Sequence, residues 1–381
     1  MHNFYQLAGG EDAVALSEVN LLKEHGHEVD FYYVHNDAIK SLRQRLLASL
    51  GVIYNWRAKK RLRKHLDHTH PDIVHVHNIF PLLSPSVFDA CRDAGIPSVL
   101  TLHNFRLLCP TALLFHDGKI VERSLHGSSL WAVWRRVYHH SFIGTAVVAL
   151  MVDSHKWRGT WKSRVDRYIA LTAFAKNKFV AGGVPRELIE VKANTLGQDR
   201  QYSEELVREG GLYVGRLSAE KGVGILIDAW KDLNTQLRMV GDGPLRMLDG
   251  QGEQQVTWIG GLPPDGVQRE MSTAAFLIVP SIWYEMFPLV VIEAFASGLP
   301  VIVSAHAALK EIVEDGVTGL HFNPGDSADL ADKVRWASSH RDEMLQMGRN
   351  ARRLYEEKYT PAVGYQSLIR IYEKTIAEYG V

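Results

Sequence analysis

Short, continuously apolar runs recur along the chain at Val29–Val34, Ile73–His77, Ser98–His103, Tyr168–Leu171, Ile189–Lys192, Gly211–Leu217, Leu237–Gly241, Val256–Gly260, Ala275–Pro280, Pro300–Ser304 and Leu320–Phe322. Most are separated by stretches whose apolar residues recur at helical spacing. A strand wet on one face alternates apolar and polar residues, whereas one covered on both faces does not. The pattern therefore predicts parallel strands wrapped by helices, an α/β chain of two doubly wound domains whose ligands bind at the carboxyl ends of the strands. A length of 381 residues agrees with two domains rather than one. Strand character lapses between Asn194 and Glu209, which places the domains at 1–195 and 196–360, followed by a last helix over 361–381.

Charge adds a division that the total hides. Lys and Arg number 43, as do Asp and Glu, so no net field favours nucleic acid, and none is expected as a partner. Residues 1–195 nevertheless carry 25 basic against 17 acidic residues, and the remainder 18 against 26. Much of the excess lies between Lys40 and Lys64, with no acid before Asp67, while Leu42, Leu46, Leu47, Leu50, Ile53 and Trp56 form an apolar stripe. Such a surface suits peripheral contact with an anionic membrane; a basic helix packed on its own domain is the structural alternative. Trp131, Trp134, Trp157 and Trp161 flank the apolar run Phe142–Val152 and read either as core or as an interfacial surface. That run is shorter than the ~20 residues a bilayer requires. The first residues, MHNFYQLAGGED, show no basic stretch followed by an apolar one. A cytoplasmic protein, possible peripheral contact at the inner face of the cytoplasmic membrane included, is expected. Cys91 and Cys109 supply neither a disulfide framework nor a four-thiolate zinc site, and read as buried thiols.

Four constellations fall at predicted strand ends. Gly9 and Gly10 lead into a helical pattern with acids in its first turn, where bare backbone and partial positive charge suit phosphate or sugar. Thr101-Leu102-His103-Asn104 ends a strand and puts an imidazole beside whatever fills the cleft. His75 and His77 share a strand face, but without a nearby acid or thiol they make a poor metal site. Val214-Gly215-Arg216-Leu217-Ser218-Ala219-Glu220-Lys221-Gly222 carries two cations five residues apart on a strand-to-helix loop, able to neutralise a diphosphate. Neither a Walker loop nor a G-x-G-x-x-G turn is present. The fourth runs from Pro280 to Pro300. It sets Glu285 on a loop, Pro288 at the first helical position and Glu293 inside a helix of about ten residues closed by Gly298. The amides of Leu289 and Val290 would then be unpaired and face an anion.

These residues, in this order, resemble the retaining glycosyltransferases of the GT-B fold, family 4. The likeness spans the chain through GGED, GHEV, PDIVHVHN, TLHN, GRLSAEKG, GDGPL, the E-x7-E of Glu285 and Glu293, EAFASGLPVI and EIVEDGVTGLHFNPGD. HNFRLLCP is similar to enzymes that build bacterial surface polysaccharides. The resemblance implies two Rossmann-like domains facing a central cleft, and transfer from a nucleotide-diphosphate sugar, UDP- or GDP-linked, to a glycan or lipid-linked acceptor. It implies that Arg216 and Lys221 bind the donor diphosphate with the amides of Leu289 and Val290, and that Glu293 binds the ribose. Glu285, with the backbone of Met286 and Phe287, would hold the sugar hydroxyls. His103 would contact the sugar near its anomeric carbon, and Gly10 would admit the donor to the first helix.

Preorganised cations and amides lower the barrier to diphosphate departure. With no D-x-D pair to hold a metal, cofactor-free, metal-independent transfer is expected. The sequence departs from the family at three places. The strand before the glycines is reduced to Met1-His2-Asn3, leaving the first sheet short of its central strand. Lys192-Ala193-Asn194 replaces Lys-Pro-Asn, and Ala307-Ala308-Leu309 stands where glycines are common. A sugar-nucleotide binding module without catalysis, a related phosphorylase or epimerase, and a dehydrogenase are the competing classes.

Overall fold

The computed structural model describes residues 1–6, 9–38, 51–199, 208–248 and 255–380. Two compact units divide the chain: Met1–His116 with Ile120–Gly197 and Gly364–Val381, and Asp117–Lys119 with Gln198–Val363. Residues 200–207 of the expected join lie outside the described residues.

In the first unit the strands Val74–Val76, Ser98–Leu102, Arg167–Ala170 and Ile189–Val191 lie side by side in that order, all parallel. His2–Phe4 pairs in parallel with Tyr33–His35. Main-chain hydrogen bonds from Met1 to His75, His77 to Met1 and Asn3 to Asn78 also tie it to the strand Val74–Val76. The expected gap is thereby corrected: a central strand exists, three residues long, held from both sides. Its shortness trims the predicted strand Val29–Val34 to Tyr33–His35. A strand needs a ladder partner, and the pairing register starts with His2 opposite Tyr33. A cavity of about 690 Å³ lies alongside, bordered by Val29, Tyr32, His65, His70 and Ile73. Glu18, His75 and His77 also line it. Val99 and Ile169 pack against Leu368, Ile371 and Tyr372 of the final helix, Pro361–Glu378.

Two surface expectations are resolved here. The helix Trp56–Thr69 starts at Asn55, whose side chain accepts from the Ala58 amide, and it buries Ala58, Leu62 and Leu66. Four-residue spacing puts these on one face, so this part of the basic segment is packed on its own unit. Leu42, Leu46, Leu47 and Leu50 lie outside the described residues. Of the four tryptophans, Trp161 is buried and Trp131 is half-buried, its indole N–H donating to Ser124 at 2.8 Å. Trp134 and Trp157 are 79% and 87% exposed. Core packing fails for these two because they project from the helices Leu130–Arg135 and Phe142–Trp157 away from the buried face of Val148 and Val152.

The second unit has one sheet of six parallel strands. Their order is Val256–Gly260, Leu237–Val240, Gly211–Val214, Phe276–Val279, Val301–Ser304 and Gly319–Phe322. The chain works outward from Gly211–Val214, then crosses to its other side with Phe276–Val279. That reversal opens a crevice at the strands' carboxyl ends. Phe276–Val279 and Val301–Ser304 are wholly buried, which accounts for their lack of alternation. Trp230, Phe276 and Phe322 anchor the core.

Candidate active site

Two loops flank the reversal in the second unit: Gly215–Gly222 after Gly211–Val214, and Pro280–Pro288 after Phe276–Val279. They are pressed together. Gly222 has φ +74°, and a Cβ there would fall 1.9 Å from the Pro280 carbonyl oxygen, so only glycine fits. The Ile282 amide donates to the Glu220 carbonyl at 3.0 Å. This crossing brings the Lys221 ammonium to Glu285 Oε1 at 2.6 Å and to 5.4 Å from the centre of the Trp283 ring. The same oxygen accepts from Ser281 Oγ at 2.7 Å and Trp283 Nε1 at 3.0 Å. Glu285 is 5% exposed, and a carboxylate so buried needs these donors to offset its lost hydration. Oε2 has no hydrogen-bond partner among the described residues.

Arg216 is exposed, with no ion pair among the described residues. Its backbone is fixed instead: the Tyr213 hydroxyl donates to the Arg216 carbonyl at 2.7 Å, and the Leu217 amide donates to that of Asp242 at 2.9 Å. The predicted strand Gly211–Leu217 accordingly stops at Val214, where this turn begins. Burial, reinforced by the charge of Glu285, pushes the Tyr213 hydroxyl well above its ordinary range and keeps it a donor.

The helix Leu289–Ala296 starts one residue later than expected, with Pro288 as its cap, and spans 8 residues. A proline just outside the helix leaves the amides of Leu289 and Val290 without intrahelical acceptors. Leu289, Val290 and Glu293 are the three residues of this helix that are not fully buried. Met286 and Phe287 are buried, with the Phe287 ring 6.0 Å from that of Tyr359. His306 Nε2 lies 2.7 Å from the Ser281 carbonyl, which braces the loop from the next strand.

In the first unit, His103 follows the strand Ser98–Leu102. Its Nε2 lies 3.0 Å from His77 Nδ1, His77 Nε2 lies 3.4 Å from Glu18 Oε2, and Glu18 Oε1 lies 2.7 Å from Lys192 Nζ. Burial pushes the His103 imidazole down to about 3, against the pull of Glu18, and lowers His75 and His77 as well. Burial thus favours the neutral form of all three rings. Between His77 Nδ1 and His103 Nε2 one nitrogen donates and the other accepts, while Glu18 Oε2 has no hydrogen-bond partner among the described residues.

The acid that the sequence did not offer His75 and His77 is therefore Glu18, 3.6 and 3.4 Å away, delivered by the helix Gly10–Glu24. Their ligand atoms lie within 4.8 Å of one another. Lys192 pairs with Glu18 Oε1, leaving Oε2 without a hydrogen-bond partner among the described residues, and both His75 nitrogens are engaged by Tyr372 and Thr101, which compete with any cation for this donor set. Gly10 is the first helical residue and is exposed. Beside it, Glu11 accepts from Asn78 at 3.0 Å and Asn104 at 3.1 Å. Burial, then the charge of Asp12, pushes the Glu11 carboxyl up to about 7.

The two halves of the sequence match two family models, Glycosyltransferase Family 4 over residues 8–195 and Glycosyl transferases group 1 over residues 206–354. The chain belongs to the family 4 glycosyltransferases of GT-B fold. It is 25% identical over 340 residues to the alpha-D-kanosaminyltransferase of Streptomyces kanamyceticus, covering 85% of this chain and 82% of that one. It is 27% identical over 223 residues to the amylovoran biosynthesis glycosyltransferase AmsK of Erwinia amylovora, covering 52% and 54%. Its fold is similar to that of Anabaena Alr3699/HepE, solved in complex with UDP and glucose, with a TM-score of 0.67, 18% identity and coverage of 98% and 99%.

This glycosyltransferase carries Arg216, Lys221, Glu285, Met286, Phe287, Leu289, Val290 and Glu293 on two touching loops and the helix that follows, all in the second unit. Gly10 and His103 stand at strand ends of the first. Ser281, Trp283, Glu11 and Glu18 went unassigned in the sequence. Trp283 had a usable signal, a tryptophan two residues before a loop glutamate. The two acids had none, because their partners are distant in sequence.

Proposed function

We propose that this glycosyltransferase moves a sugar, with retention and without a metal, from a nucleoside-diphosphate sugar to a glycan or lipid-linked acceptor in polysaccharide or glycolipid synthesis. The observation that carries this reading is the Lys221–Glu285 contact at the sheet's reversal, beside the exposed Arg216 and the open amides of Leu289 and Val290. Two cations and two amides suit a departing diphosphate, and Glu285 Oε2 suits sugar hydroxyls. Glu293, a turn further along that helix, suits the ribose. The likeness to an Anabaena protein solved with UDP favours a uridine nucleotide. In the reaction the bond from the anomeric carbon to the phosphate oxygen breaks while one to the acceptor oxygen forms on the same face. The acceptor's proton passes to the leaving phosphate oxygen. In the first unit, we infer that His103 contacts the transferred sugar near its anomeric carbon.

A melting-temperature panel of UDP-, GDP-, ADP- and dTDP-sugars identifies the donor by ligand linkage. Nucleoside-diphosphate release is then followed with and without EDTA. Acceptor-stimulated, EDTA-insensitive release from one donor is expected. Release that tracks added phosphate, or an altered sugar formed with no acceptor, would instead show a phosphorylase or an epimerase. Tight donor binding with no turnover over a wide acceptor panel would leave a binding module.

A further inference from the structure

The helix Phe142–Trp157 of the first unit wears its apolar residues on both sides. Val148 and Val152 are buried, yet Ile143, Leu150 and Trp157 are 76%, 57% and 87% exposed. These three are spaced by seven residues, nearly two full turns, so they form one stripe about 21 Å long. The adjoining helix Leu130–Arg135 extends it. Leu130 and Trp134, four residues apart, are 63% and 79% exposed, and the Trp134 ring meets that of Phe142 at 5.9 Å. A continuous exposed surface of six large apolar side chains, two of them tryptophan, exceeds the scattered exposure ordinary on soluble proteins.

The sequence around this surface is strongly basic. Arg123, Arg135, Arg136, Lys156, Arg158, Lys162 and Arg164 fall between residues 123 and 164, where Asp153 is the only acid; Arg164 pairs with Asp89 of the helix Ser86–Ala94 at 3.3 Å. That acid is turned inward to local partners, accepting from the Ser129 amide at 2.9 Å and the Ser128 hydroxyl at 2.7 Å. Lys156 is tied to backbone carbonyls of Ser124 and Leu125, which fixes positive charge at the same end as Trp157. A second copy of this basic face would repel it. An apolar stripe with tryptophans toward its ends, surrounded by cations, complements a layer whose headgroups are anionic and whose interior is apolar.

We propose that the face formed by Leu130–Arg135 and Phe142–Trp157 is a docking surface for an anionic phospholipid bilayer, on which the protein lies without spanning it. No described helix is long and apolar enough to cross a membrane. This assigns the contact to a different part of the first unit from the Lys40–Lys64 segment singled out by sequence charge. It rests on the exposed stripe and its cations alone, independently of the transfer reaction.

The test is sedimentation of the full chain with vesicles of phosphatidylcholine alone and of phosphatidylcholine with phosphatidylglycerol, at low and high salt. Binding to the anionic vesicles, weakened by salt and reduced about tenfold or more by Trp134→Ser with Trp157→Ser, is expected. Both side chains are exposed, so melting should be unchanged, and that control separates lost docking from lost fold. A second variant, Arg135→Glu with Arg158→Glu, should abolish binding to anionic vesicles. Absence of binding by the unaltered chain would overturn the proposal. So would binding that both variants retain, which would place the contact elsewhere. Concentration-dependent dimers abolished by the tryptophan substitutions, without vesicle binding, would make the face a self-interface and equally overturn it.

Discussion

Glu285 occupies the Lys221 ammonium, and this gives opposite signs for two substitutions at one contact. At 2.6 Å the pair is a charge-assisted hydrogen bond, worth ~1.5–3 kcal/mol when shielded. The lysine side chain is 28% exposed and the glutamate 7%, so solvent screening brings the coupling to roughly 1–2 kcal/mol. Lys221→Met removes a cation from any bound diphosphate. Glu285→Gln keeps the shape and the Ser281 donor but no longer holds Lys221 by charge, so more of the ammonium's field is available to phosphate oxygens. Titration calorimetry with UDP should therefore show weaker binding for Lys221→Met, by about tenfold, and unchanged or up to about tenfold tighter binding for Glu285→Gln, following ~1.4 kcal/mol per decade. Sugar transfer should fall in both, by about 100-fold or more where transition-state charge loses its donor. Weakening of UDP by Glu285→Gln to the same extent as by Lys221→Met would refute the idea that the glutamate competes for the lysine. It would leave Glu285 a purely structural brace of the loop.

The other predictions concern backbone and pH. Gly222→Ala forces a Cβ against the Pro280 carbonyl at φ +74°; a loss of roughly 3 kcal/mol or more in the second unit's stability is expected by chemical denaturation, together with loss of transfer. Ala307 holds φ +50° at the start of the helix Ala307–Ile312, so Ala307→Gly should stabilise by roughly 0.5–1 kcal/mol, and a lower melting temperature would contradict the strain. Glu11 has its folded carboxyl raised from 4.5 to about 7, so the folded state binds more protons than the unfolded chain between those values and stability falls as pH rises through that window. Glu11→Gln should flatten that fall, which solvent screening limits to roughly 2 kcal/mol; urea midpoints at pH 5 and 8 with the same difference for both proteins would exclude Glu11 as its source.

What the sequence disclosed and withheld follows from how far each signal reaches along the chain. Phe276–Val279 was legible because burial on both faces leaves an unbroken apolar run, and the following loop because its acid, prolines and glycine lie within twenty-one residues. His103 was visible as a strand-end imidazole, but its neighbours were not: His77 beside it lies near Glu18, whose own partner Lys192 is 174 residues further along the chain and 2.7 Å away. The same distance hid the acid beside His75 and His77. The tryptophans stayed open between core and surface for another reason: composition shows that Trp134 and Trp157 are apolar, while the phase of their helices decides that they face out. The first strand was legible only as a shortage, because its three residues are held by main-chain bonds that leave no side-chain pattern.

The second unit's two loops explain why the charged residues of this site tolerate burial. A carboxylate 5% exposed has lost most of its hydration and needs donors in its place. Here an ammonium, a hydroxyl and an indole all converge on one of its oxygens, so that oxygen is saturated while the other stays available. The saturating donors come from both loops, and their approach depends on Gly222, whose missing side chain lets the first loop touch the Pro280 carbonyl. Backbone choice at one glycine thus fixes the position of a cation one residue earlier, and that cation fixes the carboxylate. Under the proposed reaction the same construction means little reorganisation is needed when a diphosphate binds. Lys221 gains a second anionic partner, Glu285 keeps its neutral donors, and the free oxygen turns to sugar hydroxyls, so stabilisation is delivered by groups already in place.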